Sequence, residues 1–340
     1  MLPQPGTRTN VKTAIDARFS SLGYRGATAG FTVERPEWFH SAPTDAAGAL
    51  VTPLLWSWAE PYARFYAVFP EATTANSIAL SPATHSGTPY VDFEVKPSIA
   101  DQVDLMVASS GEVKYETRGT APKARLEFYH ALTAVKIAVG QNLSWNKRIT
   151  KVEIKNACSK GKYMLPTQYG GAGTWVAGSL TDRKDFVLDV AASPIDLKQK
   201  PNTVIMGNPA DNYTFYMIPQ ELDNKVTAEI TFTDNTTISV PLKGSWKEGT
   251  TRTYKLSHKN SSWVYSITSD SPSAVAYNAT STGNYGITSF RQAPDGTKKP
   301  VAWKVIGYSE DNGNTWTTTK PAWLKSREMV VQLQNKAQLH

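Results

Sequence analysis

The chain has 340 residues, 40% of them hydrophobic and 19% charged, with 10 Trp, 15 Tyr and 11 Phe. That composition excludes wholesale disorder, and the length predicts about two or three domains, because a single core stops growing well before it. The formal net charge is +7, but Lys and Arg are dispersed, so the clustered footprint of a nucleic-acid binder is missing.

A single cysteine, Cys158, excludes an internal disulfide and any Cys-based metal cluster. No apolar run approaches the length of a membrane span, and the opening MLPQPGTRTN has no apolar signal region. The chain is then either cytoplasmic or exported with its signal removed, and a surface style rich in Thr, Ser, Asn, Gly and aromatics favours export.

In chain order, residues 1–30 are polar and basic, with Arg8, Lys12, Arg18 and Arg25 among small residues, and read as an exposed arm. From Phe31 to Val107 short apolar clusters alternate with turn-formers, and Tyr62 to Phe69 reads as a central strand that stops at Pro70. Ser109 to Ala124 is polar, holds Gly111, Gly119 and Pro122, and reads as a connection. In LEFYHALTAVKIAVG the residues Leu126, Phe128 and His130, then Val135, Ile137 and Val139, fall on alternate positions. β-branched residues favour strand there over helix.

ITKVEIKN, the Gly-rich YGGAGTW and the strand FVLDV follow. Tyr213, Phe215 and Met217 alternate with Thr214 and Tyr216, the period of a half-buried strand. Val226, Ala228, Ile230 and Phe232 alternate likewise, Asp234 and Asn235 turn the chain, and Ile238, Val240 and Leu242 resume the pattern. Val226 to Leu242 is therefore read as a hairpin with one face on a core. The tail from Trp263 changes character and reads as a smaller β unit. Its last stretch stops without a turn or cap, so the natural chain is expected to continue.

Candidate chemistry is sparse. His130 sits in an apolar run and reads as a satisfied core or interface histidine; the other histidines lack metal-ligand spacing. Asp92 with Glu94, Asp101 with Asp104, and Asp182 with Asp185 read as solvated surface carboxylates. Asp311, Asn312 and Asn314 read as a turn, since the full ladder of calcium ligands is missing. Trp56 and Trp58, two apart, would share one face of a strand, either as core packing or as a stacking platform for a sugar ring, and Trp303, Trp316 and Trp323 raise the same question. No nucleophile, base and orienter come together, so no catalytic residue, cofactor or metal site is assigned.

The motifs VDLMVA (103–108), LEFYHALTAVKIAV (126–139), ITKVEIKN (149–156), FYMIPQEL (215–222) and SWKEGTTRTYKLS (245–257) occur in that order. Together they make the chain resemble the fimbrillin-like proteins of the Bacteroidales, over roughly residues 30–258. The resemblance implies an all-β fold of two transthyretin-like β-sandwich domains in tandem, and the tail resembles an extra C-terminal β module of longer members. It implies export as a lipoprotein, display outside the outer membrane and no enzymatic activity. Membrane attachment would run only through a lipid anchor absent from this chain.

The resemblance also implies assembly with other fimbrial subunits by donor-strand exchange, after an N-terminal strand is cut away at a basic residue, for which Arg18 and Arg25 are suitably placed. The expected boundaries are an arm over 1–30, sandwiches over 31–140 and 141–260, and a module over 261–340. Donor strands are expected at the C-terminus, where this chain carries the module, which favours a tip or accessory adhesin over a stalk subunit. The rival reading is a surface glycan-binding protein using Trp56, Trp58 or the tail tryptophans, with host or bacterial surface glycans or proteins as partners.

Overall fold

The computed structural model describes residues 14–34, 38–140, 148–197, 203–205, 213–256, 264–270, 285–292, 298–303, 307–309, 315–319 and 337–339. Among them there are strands and two single-turn 3-10 helices, Thr74–Asn76 and Ile99–Asp101, and no α-helix. The chain divides into two compact units, Met1–Ser257 and His258–His340.

The first unit holds β1 (Phe19–Gly26), β2 (Phe39–Thr44), β3 (Tyr62–Phe69), β4 (Ile78–Leu80), β5 (Tyr90–Glu94), β6 (Met106–Lys114), β7 (Tyr129–His130) and β8 (Thr133–Val139). It continues with β9 (Arg148–Met164), β10 (Thr174–Trp175), β11 (Thr181–Asp189), β12 (Ile195–Asp196), β13 (Thr214–Met217), β14 (Thr227–Phe232), β15 (Thr237–Pro241) and β16 (Thr251–Leu256). Three sheets result. The first has the order β2-β1-β3-β6-β7; the second is β15-β14-β9-β5-β4, with β10, β11 and β12 on the other edge of β9; the third is β13-β8-β16. β16 runs parallel to β8, while the other strand pairs are antiparallel.

One contiguous core joins the sheets. Leu22, Tyr66, Val68 and Val107 of the first sheet belong to the same buried cluster as Val91, Phe93, Val152, Ile154 and Tyr163 of the second and Val135, Ile137 and Phe215 of the third. β9 is long enough to serve both ends of this core, pairing β14 through Ile149–Lys155 and β5 through Lys160–Met164. Between those stretches Asn156 sits at φ 61°, a left-handed conformation that Asn tolerates better than most residues. Its backbone N–H bonds the Asp185 carboxylate at 2.9 Å and its side-chain amide donates to the Lys225 carbonyl at 2.9 Å. This extra residue shifts the strand's phase. Lys151, Glu153 and Lys155 before it and Lys160 and Lys162 after it thus end on one solvent-facing side.

The hairpin over Val226 to Leu242 is present as β14 and β15, with Asn235 at φ 60° and the Asp234 carboxylate accepting from the Thr236 N–H at 3.1 Å. Val226, Ala228, Ile230 and Phe232 are all buried, and at roughly 1.5–3 kcal/mol for each large side chain this face holds the hairpin to the core. Val240, expected inward, is exposed on the edge strand. β13 is buried on both faces rather than one, with Phe215, Tyr216 and Met217 all in the main core, and the Gln102 side chain accepts a hydrogen bond from the Tyr216 N–H at 2.8 Å.

The N-terminal stretch differs most from its reading. Residues 19–26 are no exposed arm: β1 lies inside the first sheet, between β2 and β3, and its first six residues are buried. Its small residues mark close packing. The Ser21 hydroxyl lies 2.7 Å from that of Thr44, and the Ser20 hydroxyl accepts from the Ala72 N–H at 2.9 Å.

The second unit pairs β17 (Val264–Asp270) with β18 (Tyr285–Gln292), and β18 also pairs β19 (Lys298–Pro300) and β20 (Ala337–Leu339). All these pairs are antiparallel.

Candidate assembly face

Alternation along β3 sends Tyr66 and Val68 into the main core and Phe65, Ala67 and Phe69 to the outer face of the first sheet. At one end of that face Phe19, Ala67, Phe69, Met106 and Ala108 form a second, smaller apolar cluster, covered by Ile15, Leu126 and Phe128. Phe128 meets Phe19 edge to face at 5.3 Å. Leu126 and Phe128 belong to an extended strap, residues 121–128, in which Pro122, Ala124, Leu126 and Phe128 are half-buried and the residues between them exposed. The strap makes no ladder with the sheet until β7, which pairs only Met106 and Val107. Among the described residues no strand pairs that edge of β6 from Ala108 to Lys114.

The two candidate processing residues occupy opposite environments. Arg18 is exposed, directly before β1. Arg25 lies within β1, registered against Ala63 of β3; its Nε is 2.7 Å from the Glu60 carboxylate and its guanidinium lies 5.4 Å from the Trp38 ring centre.

At the other end of the same face six aromatic residues cluster. Trp56 packs against Trp38 at 5.4 Å, Phe65 at 5.7 Å and Tyr115 at 5.5 Å, and its indole N–H donates to the Glu60 carbonyl at 3.0 Å. Phe39 stacks on Phe65 at 6.2 Å, and Trp58 meets Tyr115 edge to face at 5.2 Å. A Cβ on Gly23 would fall 2.2 Å from the Phe39 ring, so only glycine lets that ring lie on the sheet. Trp56 and Trp58 are thus brought together, but not on one face of a strand. They sit in the irregular β2–β3 connection, where Pro53 withholds a ladder donor. Trp56 is half-buried and Trp58 is 46% exposed. In the tail Trp303 is half-buried, Trp316 is 64% exposed, and Trp323 and the Asp311–Asn314 turn lie outside the described residues.

His130 Nδ1 lies 3.0 Å from an Asp104 carboxylate oxygen, so His130 is satisfied as expected. Asp104 is a correction: it is 4% exposed, not a solvated surface group, because it sits beneath β7 and beside Tyr216, whose hydroxyl it helps hold protonated. Burial is the larger cause of that upward shift. Asp92, Glu94 and Asp182 do lie on the surface, in the ion pairs of the second sheet. Lys160 is 2.8 Å from Asp182 and 3.6 Å from Glu94, Lys162 is 3.6 Å from Asp92, and Lys184 bonds Glu94. The Lys184 hydrogen bond holds the Glu94 carboxyl below its ordinary range. No group of three or more metal-ligating side chains occurs among the described residues. Sequence spacing gave no sign that Ile15, Trp38 and Tyr115 belong to this face, since each reaches it from a separate connection.

The first unit is thus an all-β structure with an apolar sheet face covered by loops and a strap. A sequence model described as fimbrillin-like matches residues 44–280, more than two thirds of the chain. The chain belongs to the fimbrillin-like family. It is accordingly a structural, non-enzymatic protein with a fimbrial or adhesin role at the cell surface, in assembly with other fimbrial subunits. Solved structures similar to it include a fimbrial protein from Bacteroides vulgatus ATCC 8482, at 15% identity over 70% of this chain and 88% of that one, with a TM-score of 0.46. A candidate cell adhesion protein from Bacteroides uniformis ATCC 8492 is 14% identical over 74% of this chain and 91% of that one, with a TM-score of 0.44. No curated protein matches the chain.

Proposed function

We propose that the chain is a fimbrial subunit or tip adhesin that assembles by donor-strand exchange, with cleavage after Arg18 opening its acceptor surface. The position of Ile15 carries this reading: from the N-terminal side of an exposed Arg18, it packs on the cluster of Phe19, Phe69 and Met106. Cutting after Arg18 removes that cover and keeps β1 whole. Cutting after Arg25 would instead remove most of β1 and open the place between β2 and β3; Arg18 is assigned because it is exposed, whereas Arg25 is held in the sheet by Glu60 and Trp38.

An incoming strand would find the β6 edge from Ala108 to Lys114 unpaired by any described strand, with the apolar cluster beside it, and would have to displace the groups that now bury Ala108 to Gly111. Four inserted apolar side chains at roughly 1.5–3 kcal/mol each contribute about 6–12 kcal/mol before ordering costs, enough for very slow dissociation. The same reading has the chain exported as a lipoprotein and displayed outside the outer membrane. It keeps the tail over 261–340 as a separate module, but a break near residue 140 runs through sheets that share one core, and β1 belongs with the first sheet, so the transthyretin-like sandwich architecture is read within the first unit as a whole.

Limited trypsin cleavage, unheated gel electrophoresis and mass spectrometry test it. The expected result is a first cut after Arg18, absent in Arg18→Gln and retained in Arg25→Gln, followed by heat-sensitive, detergent-resistant ladders. A product trimmed after Arg18 that stays monomeric rejects donor-strand exchange.

A second reading, binding of surface glycans, rests on the exposure of Trp58 beside Tyr115. Saturable binding on a glycan array, lost in a folded Trp58→Ala variant, would favour it.

A further inference from the structure

A cut after Arg18 takes Ile15 off the apolar cluster of the first sheet but leaves Leu126 and Phe128 of the strap on it. The strap is held by side chains alone. From Ala121 to Phe128 no backbone N–H or C=O bonds another described residue. Its one side-chain hydrogen bond among the described residues, from the Tyr129 hydroxyl to the Glu127 carboxylate at 2.9 Å, lies on the exposed side. Lys123 and Arg125 are exposed and make no ion pair with a described residue. What remains is apolar contact from Pro122, Ala124, Leu126 and Phe128, none of them fully buried, whereas Phe19, Phe69 and Met106 beneath are at most 3% exposed. The two ends are fixed: the Gly119 N–H donates to the Tyr115 hydroxyl at 2.8 Å, and the Ala131 N–H donates to the Leu105 carbonyl at 2.9 Å.

The missing ladder has a cause in β6. The register of β7, with His130 opposite Met106 and Tyr129 opposite Val107, would carry on to set Phe128 against Ala108 and Leu126 against Ser110. There β6 bulges: Ser109 faces Tyr66 and Glu112 faces Arg64, so Ser110 and Gly111 together oppose Phe65, and Gly111 sits at φ 62°. The Gly111 N–H turns to the Ser109 hydroxyl at 3.2 Å, and the Ser110 hydroxyl donates to the Gly111 carbonyl at 2.8 Å. A strap pinned by β7 cannot slip one residue to follow that bulge without turning Leu126 and Phe128 away from the cluster. A separate strand has no such tether.

We propose that the strap over residues 121–128 is an internal plug of the acceptor face, so that a subunit cut after Arg18 stays closed until an incoming strand lifts the strap. The proposal rests on the reading of donor-strand exchange and adds a second barrier to it. Leu126 and Phe128 enter the cluster two residues apart, as alternate side chains of an added strand would, and Phe128 stays edge to face on Phe19 at 5.3 Å whether or not Ile15 is present. The strap lacks the main-chain hydrogen bonds that give an added strand its affinity, and is therefore the weaker occupant. It covers the apolar face against chance partners and yields to a strand that can also pair its backbone.

Trypsin trimming of the full chain tests the proposal, in an Arg118→Gln/Lys123→Gln/Arg125→Gln background that removes the exposed cleavage sites of the strap and the turn before it. Mass spectrometry confirms the cut after Arg18. The readouts are fluorescence of the apolar dye anilinonaphthalene sulfonate directly after trimming, and the rate at which detergent-resistant ladders form. Trimming alone should leave dye binding at the level of the uncut protein. Adding Leu126→Ser should raise dye binding and speed ladder formation roughly tenfold, the factor expected for losing one half-buried leucine. Ala124→Asp, on the same side of the strap, should act in the same direction. Ile15→Ser should change neither readout, because the cut has already removed that residue. Strong dye binding on trimming alone, or ladders no faster with either strap variant, overturns the plug. Dye binding that rises with Leu126→Ser while no variant forms ladders rejects donor-strand exchange and keeps the strap as the cover of the face.

Discussion

The outer face of the first sheet and the outer face of the second are built on the same strand alternation and solve the problem of exposure in opposite ways. On the second sheet Lys151, Glu153, Lys155, Lys160 and Lys162 point outward, and Lys155 is 2.7 Å from Glu229 while Lys151 is 3.0 Å from Glu153. Ion pairs between β5, β9, β11 and β14 occupy that face. On the first sheet Phe65, Phe69 and Met106 point outward and need cover, which comes from loops and a strap rather than from a third sheet. A face that depends on displaceable cover can be opened; a face of ion pairs cannot be opened further.

The comparison breaks most severely at Phe69. Phe69→Ala should cost about 3–5 kcal/mol in urea unfolding, because it removes a nearly buried ring from a small cluster with little else to collapse around it. Trp56→Ala should cost about 2 kcal/mol and raise protease sensitivity across residues 46–59, since it unseats the base of the β2–β3 connection. An effect below about 0.5 kcal/mol for either would mean that the cover is not structural.

Substitutions on the ion-paired face should be far milder and depend on pH. The Lys184 hydrogen bond lowers the Glu94 pKa from its ordinary 4.5, so its stabilisation is present above pH 4.5 and lost as pH falls through the folded value. Glu94→Gln should therefore cost under about 1 kcal/mol at neutral pH, with the difference from wild type vanishing in acid.

Glu248 behaves in the opposite sense. Burial raises its carboxyl, against a smaller lowering by the Tyr163 hydroxyl. Its contribution is present below pH 4.5 and lost as pH rises through the folded value. Glu248→Gln should stabilise the protein at neutral pH by about 0.5 kcal/mol, read as a small rise in Tm. A loss of stability would mean that the ionised carboxylate makes a favourable contact.

Local patterns were legible where one short segment carried the whole signal. The alternation from Val226 to Leu242 identified a hairpin because side-chain direction in a strand repeats every two residues, and Asp234 with Asn235 supplied its turn. Tyr62 to Phe69 read as a central strand for the same reason, and the order of five motifs was enough to identify the family. The polar, basic look of residues 1–30 misled over 19–26, because serine and glycine serve equally for solvent and for close approach of Phe39 and Thr44. Alternation at Leu126 and Phe128 was visible, but not that this stretch lies across a sheet without joining it.

By itself, then, the sequence determined an all-β structural protein, its hairpins and its family, since strand period and turn chemistry act over a few neighbouring residues. Only the tertiary structure decided that β9 spans both ends of one core around Asn156, that Ile15 and Phe128 meet over Phe19 and Phe69, and that Leu55 is left in water. Those outcomes depend on which distant segments share a face, and burial against a remote partner leaves no mark in the local order of residues.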